Sequence, residues 1–322
     1  MVSTILVTGG AGYVGSMVSR ELLARGHRVV VADALLFGGE ALLDLLSNPD
    51  FTFRKVDICN PADLEALFAA RRFDAVVHLA SIVGDPACKA QPELATSTIW
   101  DGSRSLLELS DRHGVGHFVF ASTCSNYGKM EADAVLDEDA PLRPVSLYAQ
   151  LKVRFEELLL ARSVALDFTI LRFATVYGLS LRPRFDLTIN EFARDALLRG
   201  ELEVFGPDFW RPYCHVRDIA NAVAMILEQD RERVAGRVFN VGADEENYQK
   251  RAIAEAIAEQ IPVRLRYVER AEDPRDYRVS FERIAALGFM PRMRLRDGIR
   301  EVADAIASGL ITDPYATRYR NS

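Results

Sequence analysis

The sequence predicts an α/β fold, a doubly wound parallel sheet with a smaller, interleaved C-terminal α/β lobe. Three observations predict it. The apolar run Ile5-Leu6-Val7 leads into Thr8-Gly9-Gly10-Ala11-Gly12-Tyr13-Val14-Gly15, which opens a helix ending near Arg25-Gly26. Later strands such as Asp74-Ala75-Val76-Val77-His78-Leu79-Ala80-Ser81 are apolar throughout, as parallel strands buried on both faces must be. Arg237-Val238-Phe239-Asn240-Val241-Gly242 reads as a last buried strand that rejoins the sheet after a long excursion, so the two lobes interleave. At 322 residues the chain is long enough to bury a large core.

The first turn organises the rest. Only glycine lets the backbone bend this sharply and lets a diphosphate touch the main chain, while free N–H groups and the positive end of the next helix hold the anion. With a strand before it, a helix after it and an acid at the end of the next strand, it reads as a Rossmann dinucleotide site. The acid is Asp33, closing Arg28 to Ala32, and it is placed to accept from both ribose hydroxyls. It would repel a 2′-phosphate, so NAD is favoured over NADP.

A glycine-bearing loop, Ala34 to Gly39, and a helix near Glu40 to Ser47 follow, and then a third strand, Phe51 to Ile58. An acid at its end suits an adenine amino group, with Ile58 packing on the ring; an ordinary solvated strand end fits Asp57 equally well. Asn60-Pro61 caps a helix to Arg71, and the fourth strand carries His78, read as a hydrogen-bonded core histidine. That strand's exit, Ile82 to Lys89, lies at the carboxyl edge where open α/β sheets bind ligands. Helix Leu94 to His113 and strand Phe118 to Ser122 come next, then the loop Ser122 to Gly128 and an acidic loop, Glu131 to Pro144. A helix from Tyr148 through Arg162 carries Tyr148 and Lys152 on one face, because i and i+4 are neighbours there. Phe168 to Phe173 is a sixth strand.

From Thr175 the character changes. The pattern reads as an arginine-rich loop, Leu179 to Asp186, helix Leu187 to Arg199, strand Leu202 to Phe205, and the segment Trp210 to Asp218 leading into helix Ile219 to Gln229. Helix Lys250 to Gln260, the arginine-rich stretch Arg264 to Arg283, helix Leu295 to Ser308 and a polar tail from Asp313 to Ser322 complete the lobe. The predicted domains are 1–174, with about 211–243 returning, for the cofactor, and 175–210 with 244–322 for the substrate.

A net charge of −7 argues against nucleic acid as the main partner. The four cysteines, Cys59, Cys88, Cys124 and Cys214, have neither Cys-x-x-Cys spacing nor histidine partners, which points to no metal site and no disulfide framework. A first strand only a few residues from Met1 and the lack of a long apolar run lead us to expect a cytoplasmic protein with no membrane partner.

Tyrosine titrates near pH 10 in water, so as a base at neutral pH it needs help. Lys152 supplies positive charge, Thr123 can donate to the same substrate oxygen, and a hydride then moves from that carbon to NAD. At this point the chain resembles the extended short-chain dehydrogenases/reductases, in their nucleotide-sugar epimerase and dehydratase branch. The matching pieces are TGGAGYVG (8–15), Asp33, Asp57-Ile58, HLAS (78–81), STCSNYG (122–128), YAQLK (148–152), LRFATVYG (171–178), RPYCHVRD (211–218) and FNVG (239–242). The resemblance implies Thr123, Tyr148 and Lys152 as the catalytic set and a C-terminal lobe that binds a nucleotide-diphosphate sugar. It also implies a homodimer through helices near 94–113 and 149–162. The candidate cofactor contacts are Gly9, Gly12, Tyr13, Val14, Gly15, Asp33, Asp57, Ile58, Leu79, Ala80, Ser81, Ser122, Tyr148 and Lys152.

Departures from the family narrow the reaction. Its sugar 4,6-dehydratases carry an Asp-Glu pair after strand five, where this chain has Cys124 and Ser125. Its 3,5-epimerases usually place a cysteine acid/base where Ser125 stands; Cys124, one position away, reads as a small buried residue. Ile99 replaces a usual asparagine, removing a polar anchor. The segments VGDPACK (83–89), RPRFDLTIN (182–190) and EDPRDYRVS (272–280) resemble a bacterial subgroup acting on nucleotide-activated heptoses and 6-deoxy sugars. Candidate substrate contacts are Asp85, Thr123, Ser125, Arg184, Asp186, Asn190, Arg211, Arg217 and Arg275, the arginines because planar forks suit phosphate oxygens. The expected reaction is 4-epimerisation of a nucleotide sugar. The alternatives are a 4-dehydrogenase or 4-ketoreductase and, more remotely, a non-catalytic NAD-binding scaffold.

Overall fold

Runs of Val, Ile and Leu with no polar face form strands buried on both sides. The computed structural model describes residues 2–129, 134–161, 165–269 and 275–321. The start of the acidic loop at Glu131, the helix end at Arg162, the Glu272–Pro274 part of the arginine-rich stretch and the tail end at Ser322 lie outside the described residues. The strands are β1 (Thr4–Thr8), β2 (Arg28–Asp33), β3 (Phe51–Lys55), β4 (Ala75–His78), β5 (His117–Thr123), β6 (Val135–Leu136), β7 (Asp167–Phe173), β8 (Thr175–Tyr177), β9 (Glu201–Phe205), β10 (Trp210–His215), β11 (Arg237–Val241), β12 (Asn247–Gln249), β13 (Arg264–Val268) and β14 (Arg278–Val279).

Seven of them make one parallel sheet in the order β11-β7-β5-β4-β1-β2-β3, the doubly wound arrangement, with its direction of winding reversing between β1 and β4. Alternate residues serve opposite faces. Val7, Val31, Val77, Val119 and Leu171 fill one core, and Leu6, Val30, Val76, Phe118 and Ile170 the other. In the middle, His78 receives or gives a 2.7 Å bond at Nδ1 with Thr8 Oγ1 and a 2.8 Å bond at Nε2 with Ser103 Oγ. Burial pushes its pKa down to about 3, and it is the core histidine the sequence suggests.

The chain returns to the main sheet as the sequence suggests. Helix Val216–Glu228 shares a core with helix Tyr13–Ala24 through Ile219, Val223, Val18 and Leu22, and β11 then extends the sheet beside β7. The preceding strand β10, which local pattern did not reveal, sits outside that sheet, parallel to β8 and antiparallel to β12. β13, inside the arginine-rich stretch, pairs in parallel with β9.

The predicted single helix 94–113 is broken into Pro92–Thr96, a wide π turn at Ser97–Gly102 and Ser103–Arg112. The turn is locked from both sides, since Ser103 Oγ bonds Thr98 O at 3.3 Å and a Cβ on Gly102 would lie 2.9 Å from Ile58 Cγ1. The third strand stops at Lys55, three residues before Ile58, because Asp57 turns the chain by accepting from Cys59 N at 2.9 Å. The segment Glu40–Leu45 is 3₁₀ rather than α.

Candidate active site

The carboxyl ends of β1, β2, β4, β5 and β7 open on one cleft of about 350 Å³. Its floor is the glycine turn. Gly9 has φ +72°, and a Cβ on it would lie 2.7 Å from Ala80 N. A Cβ on Gly15 would lie 2.1 Å from Gly9 O, so helix Tyr13–Ala24 can start this close to the strand only with glycine there. Asp33 accepts from Ala11 N at 2.9 Å and from Leu35 N at 2.8 Å. Burial raises its pKa while those N–H groups and Arg182 oppose the rise. A carboxylate has about four lone-pair sites, so two remain for a ribose diol. A cradle that a Cβ would fill, next to an acid with spare acceptors, fits a dinucleotide. Gly12, Val14, Asp57, Ile58, Leu79, Ala80 and Ser81 also line the cleft, as the sequence places them.

At the other end stand Ser122, Thr123, Ser125, Tyr148 and Lys152. Thr123 caps the short turn Cys124–Tyr127 by accepting from Ser125 N at 3.1 Å. Lys152 donates to Ala121 O at 2.8 Å, with Nζ 5.9 Å from the Tyr148 ring centroid. Burial brings Lys152 down from the ordinary lysine range to about 7, with Cys88 and Glu156 opposing the fall. Burial, Cys88 and Asp85 all raise the Tyr148 phenol, with Arg184 opposing. The protein on its own therefore keeps the phenol protonated.

Residues 5–242 match the model of the NAD dependent epimerase/dehydratase family. The chain belongs to that family. A dTDP-glucose 4,6-dehydratase of Streptomyces griseus is 32% identical over 317 residues, 93% of this chain and 92% of that protein. Among solved structures, the UDP-glucose 4-epimerase of Thermus thermophilus in complex with NAD is 29% identical with a TM-score of 0.81, covering 94% of this chain and 99% of that one. The UDP-glucose 4-epimerase of Thermotoga maritima with UDP-glucose is 28% identical with a TM-score of 0.84, covering 95% and 99%. This epimerase/dehydratase is thus an enzyme of the extended short-chain dehydrogenase/reductase group, and NAD is its cofactor. Among its described residues no helix is long and apolar enough to cross a membrane.

The remaining candidate residues divide. Asp85 and Arg275 line the cleft and pair at 3.1 Å. Arg184 lines it too, gripping Asp186 at 3.0 and 2.7 Å. Asp186 itself is spent there: burial raises its pKa, but the Arg184 bonds outweigh that and leave it below the usual range. Asn190 is a correction. It is 1% exposed, and its amide bonds Gly178 N at 2.8 Å, Gly178 O at 3.0 Å and Arg184 O at 2.9 Å, so it shapes the loop and has no group left for a sugar. Arg217 is a second correction, exposed outside the cleft and paired with Glu301 at 3.1 Å. Arg211 lies behind the wall, its guanidinium 5.4 Å from the ring of Tyr277, which does line the cleft. The Tyr13 hydroxyl donates to Gly178 O at 2.7 Å, leaving its ring for the cleft. Cys124 is buried, with its thiol on Arg172 O at 3.3 Å.

Among the lining residues of this enzyme that sequence reasoning did not single out are Phe37, Arg182, Tyr277 and Asn321. Arg182 sits in the same string as Arg184 and carried the same signal. Asn321 reaches the cleft only because the folded chain brings residues 319–321 back across it, and no local pattern announces that.

Proposed function

We propose that the protein is an NAD-dependent nucleotide-diphosphate-sugar 4-epimerase, acting by transient oxidation at C4. One observation carries the choice within the family. At the exit of β5 the side chains are Thr123, Cys124 and Ser125, with the thiol turned into the protein and its pKa raised by burial. Eliminating water across neighbouring carbons needs a second acid/base beside the tyrosine, and this exit offers none. What the set can do is chemistry at one carbinol. Tyr148 takes the 4-OH proton, Thr123 holds the oxygen as its charge develops, and Lys152 next to the phenol sets how readily the proton moves. When bound, the cofactor supplies the carbon that accepts the C4 hydride and returns it. Its oxidised ring is cationic, which opposes the burial that keeps Tyr148 protonated. The same residues return the proton once the keto sugar has presented its other face.

In this reading the lobe formed by 175–210 and 244–322 holds the nucleotide sugar, with Arg184 and Arg275 toward its diphosphate. The substrate is an NDP-heptose or 6-deoxy sugar, and the enzyme works in the cytoplasm as a homodimer, which light scattering checks. The deciding experiment incubates purified protein with candidate nucleotide sugars and no added cofactor. Formation of the C4 epimer supports the proposal. Strict dependence on added NAD(H) favours a 4-dehydrogenase or 4-ketoreductase, and a 4-keto-6-deoxy product would make it a dehydratase.

A further inference from the structure

Arg182 is 7% exposed, lines the cleft, and takes no part in the chemistry above. Its fork is held from behind. Nη1 donates to Asn321 Oδ1 at 2.6 Å and Nη2 to Arg320 O at 2.7 Å, while the guanidinium lies 4.2 Å from the Phe37 ring centroid. Nε is buried with no acceptor. The loop that carries Arg182 is fixed over the glycine turn by the bond from Tyr13 to Gly178 O, and Phe37 belongs to the loop that follows Asp33. Burial, then Arg184, lowers the pKa of Arg182, and Asp186 and Asp33 oppose that. The 320–321 segment ties three parts of the chain together at the cleft. Asn321 N donates to Asp186 Oδ2 at 3.1 Å, and Asn321 Nδ2 to Val83 O at 3.4 Å in the loop after β4.

The Arg182 guanidinium, stacked on Phe37 and fixed by Asn321 and Arg320, lines the same cleft as the backbone N–H groups of the glycine turn, and the anion that such a floor binds is a diphosphate. The geometry points to Arg182 as a cofactor-retaining residue, closing over the adenosine-diphosphate half of NAD from the second lobe and held in that position by Asn321. The clasp joins three segments distant in sequence: the loop after β2, the loop after β8 and residues 320–321. Release of the dinucleotide requires them to part. The inference rests on the family's cofactor and not on the choice of 4-epimerase, although a clasp of this kind suits an enzyme that keeps its NAD through turnover.

The test measures NAD itself. Arg182→Ala, Arg182→Lys and Asn321→Ala are purified alongside the wild type. Bound NAD is quantified after denaturation, and NAD affinity and dissociation rate are measured on stripped and reloaded protein by fluorescence. Arg182→Ala is expected to release NAD roughly tenfold faster or more. Arg182→Lys should recover only part of this, because an ammonium cannot hold Asn321 and an anion in the same fork. Asn321→Ala should give a smaller increase in the same direction. Thermal melting of each variant guards against misfolding. Wild-type NAD release in a folded Arg182→Ala protein overturns the proposal, and so does a defect confined to the KM for the nucleotide sugar. Neither result bears on whether the enzyme is an epimerase.

Discussion

The Tyr13 phenol, in the glycine turn, and the Gly178 carbonyl, 165 residues later at the start of the second lobe's loop, are joined by a 2.7 Å hydrogen bond. The same carbonyl accepts from Asn190 Nδ2 at 3.0 Å. The bond pins the lobe that faces the substrate to the turn that holds the cofactor. Tyr13→Phe removes it without orphaning the carbonyl, because the Asn190 bond remains. The expected cost is therefore the modest one of a single buried hydrogen bond, about 1 kcal/mol by urea denaturation. NAD binding should persist through the ring, while the KM for the sugar rises as the two lobes lose their common fixture. A loss of about 3 kcal/mol or more, on the scale of an orphaned buried group, would show that Asn190 does not compensate.

Gly15 gives a sharper prediction. An added Cβ meets backbone at 2.1 Å, at Gly9 O, and backbone cannot step aside as the end of a side chain can. Gly15→Ala must open the turn, at about 3 kcal/mol of strain. Carried by the cofactor-binding conformation, this is about a 100-fold loss of NAD affinity. Titration of NAD into the stripped variant, with circular dichroism to confirm the fold, checks it.

Beneath the catalytic set, Arg172 and Glu156 form a buried pair. Arg172 Nε lies 3.2 and 3.1 Å from the two Glu156 oxygens, and Nη2 lies 2.7 Å from Oε2. Ser122, next to Thr123, and Asn126 also donate to Glu156 Oε1. Arg172→Met leaves that carboxylate buried and unpaired, so it should destabilise by about 3–5 kcal/mol. Adding Glu156→Gln removes the stranded charge and should restore at least half of the loss. If the double variant is no better than the single one, the cost lies in the Tyr127 and Glu138 contacts of Arg172 instead, at 3.0 and 3.1 Å.

What the sequence made legible follows the range of the interactions. The glycine turn, Asp33 and the Tyr148-Lys152 spacing are local patterns whose geometry is fixed by a strand end or one helical turn, and the structure puts all of them on one cleft. Asn190 and Arg217 were misjudged because residue type alone does not say which partner a polar group meets first. For Asn190 it is the backbone of Gly178, and for Arg217 it is Glu301, 84 positions further along the chain. β10 was invisible because its neighbours β8 and β12 come from either side of it in sequence, so its environment is purely tertiary. The π turn at Ser97–Gly102 was missed for a similar reason, since the contact that requires Gly102 is with Ile58.

The ionisation of Lys152 can be read from stability. Burial lowers its pKa from the ordinary 10.5 to about 7 in the folded protein. Between those two values the unfolded chain holds a proton that the folded one has released, so the contribution of Lys152 to stability rises with pH across that window. Below about pH 7 both states are protonated, the slope vanishes and the full cost of burying the ammonium applies. Tyr148 does not blur this reading. Its folded pKa is raised above the ordinary 10.0, so its contribution changes only above about pH 10, and there in the opposite direction. Urea denaturation of NAD-free protein at intervals from about pH 6.5 to 9.5 should therefore show wild type gaining stability on Lys152→Met as pH rises, since methionine fills similar space without titrating. A difference that stays flat with pH would mean that the amine remains charged in the folded state. The phenol would then work beside a permanent ammonium, as the tyrosine-lysine spacing alone suggests.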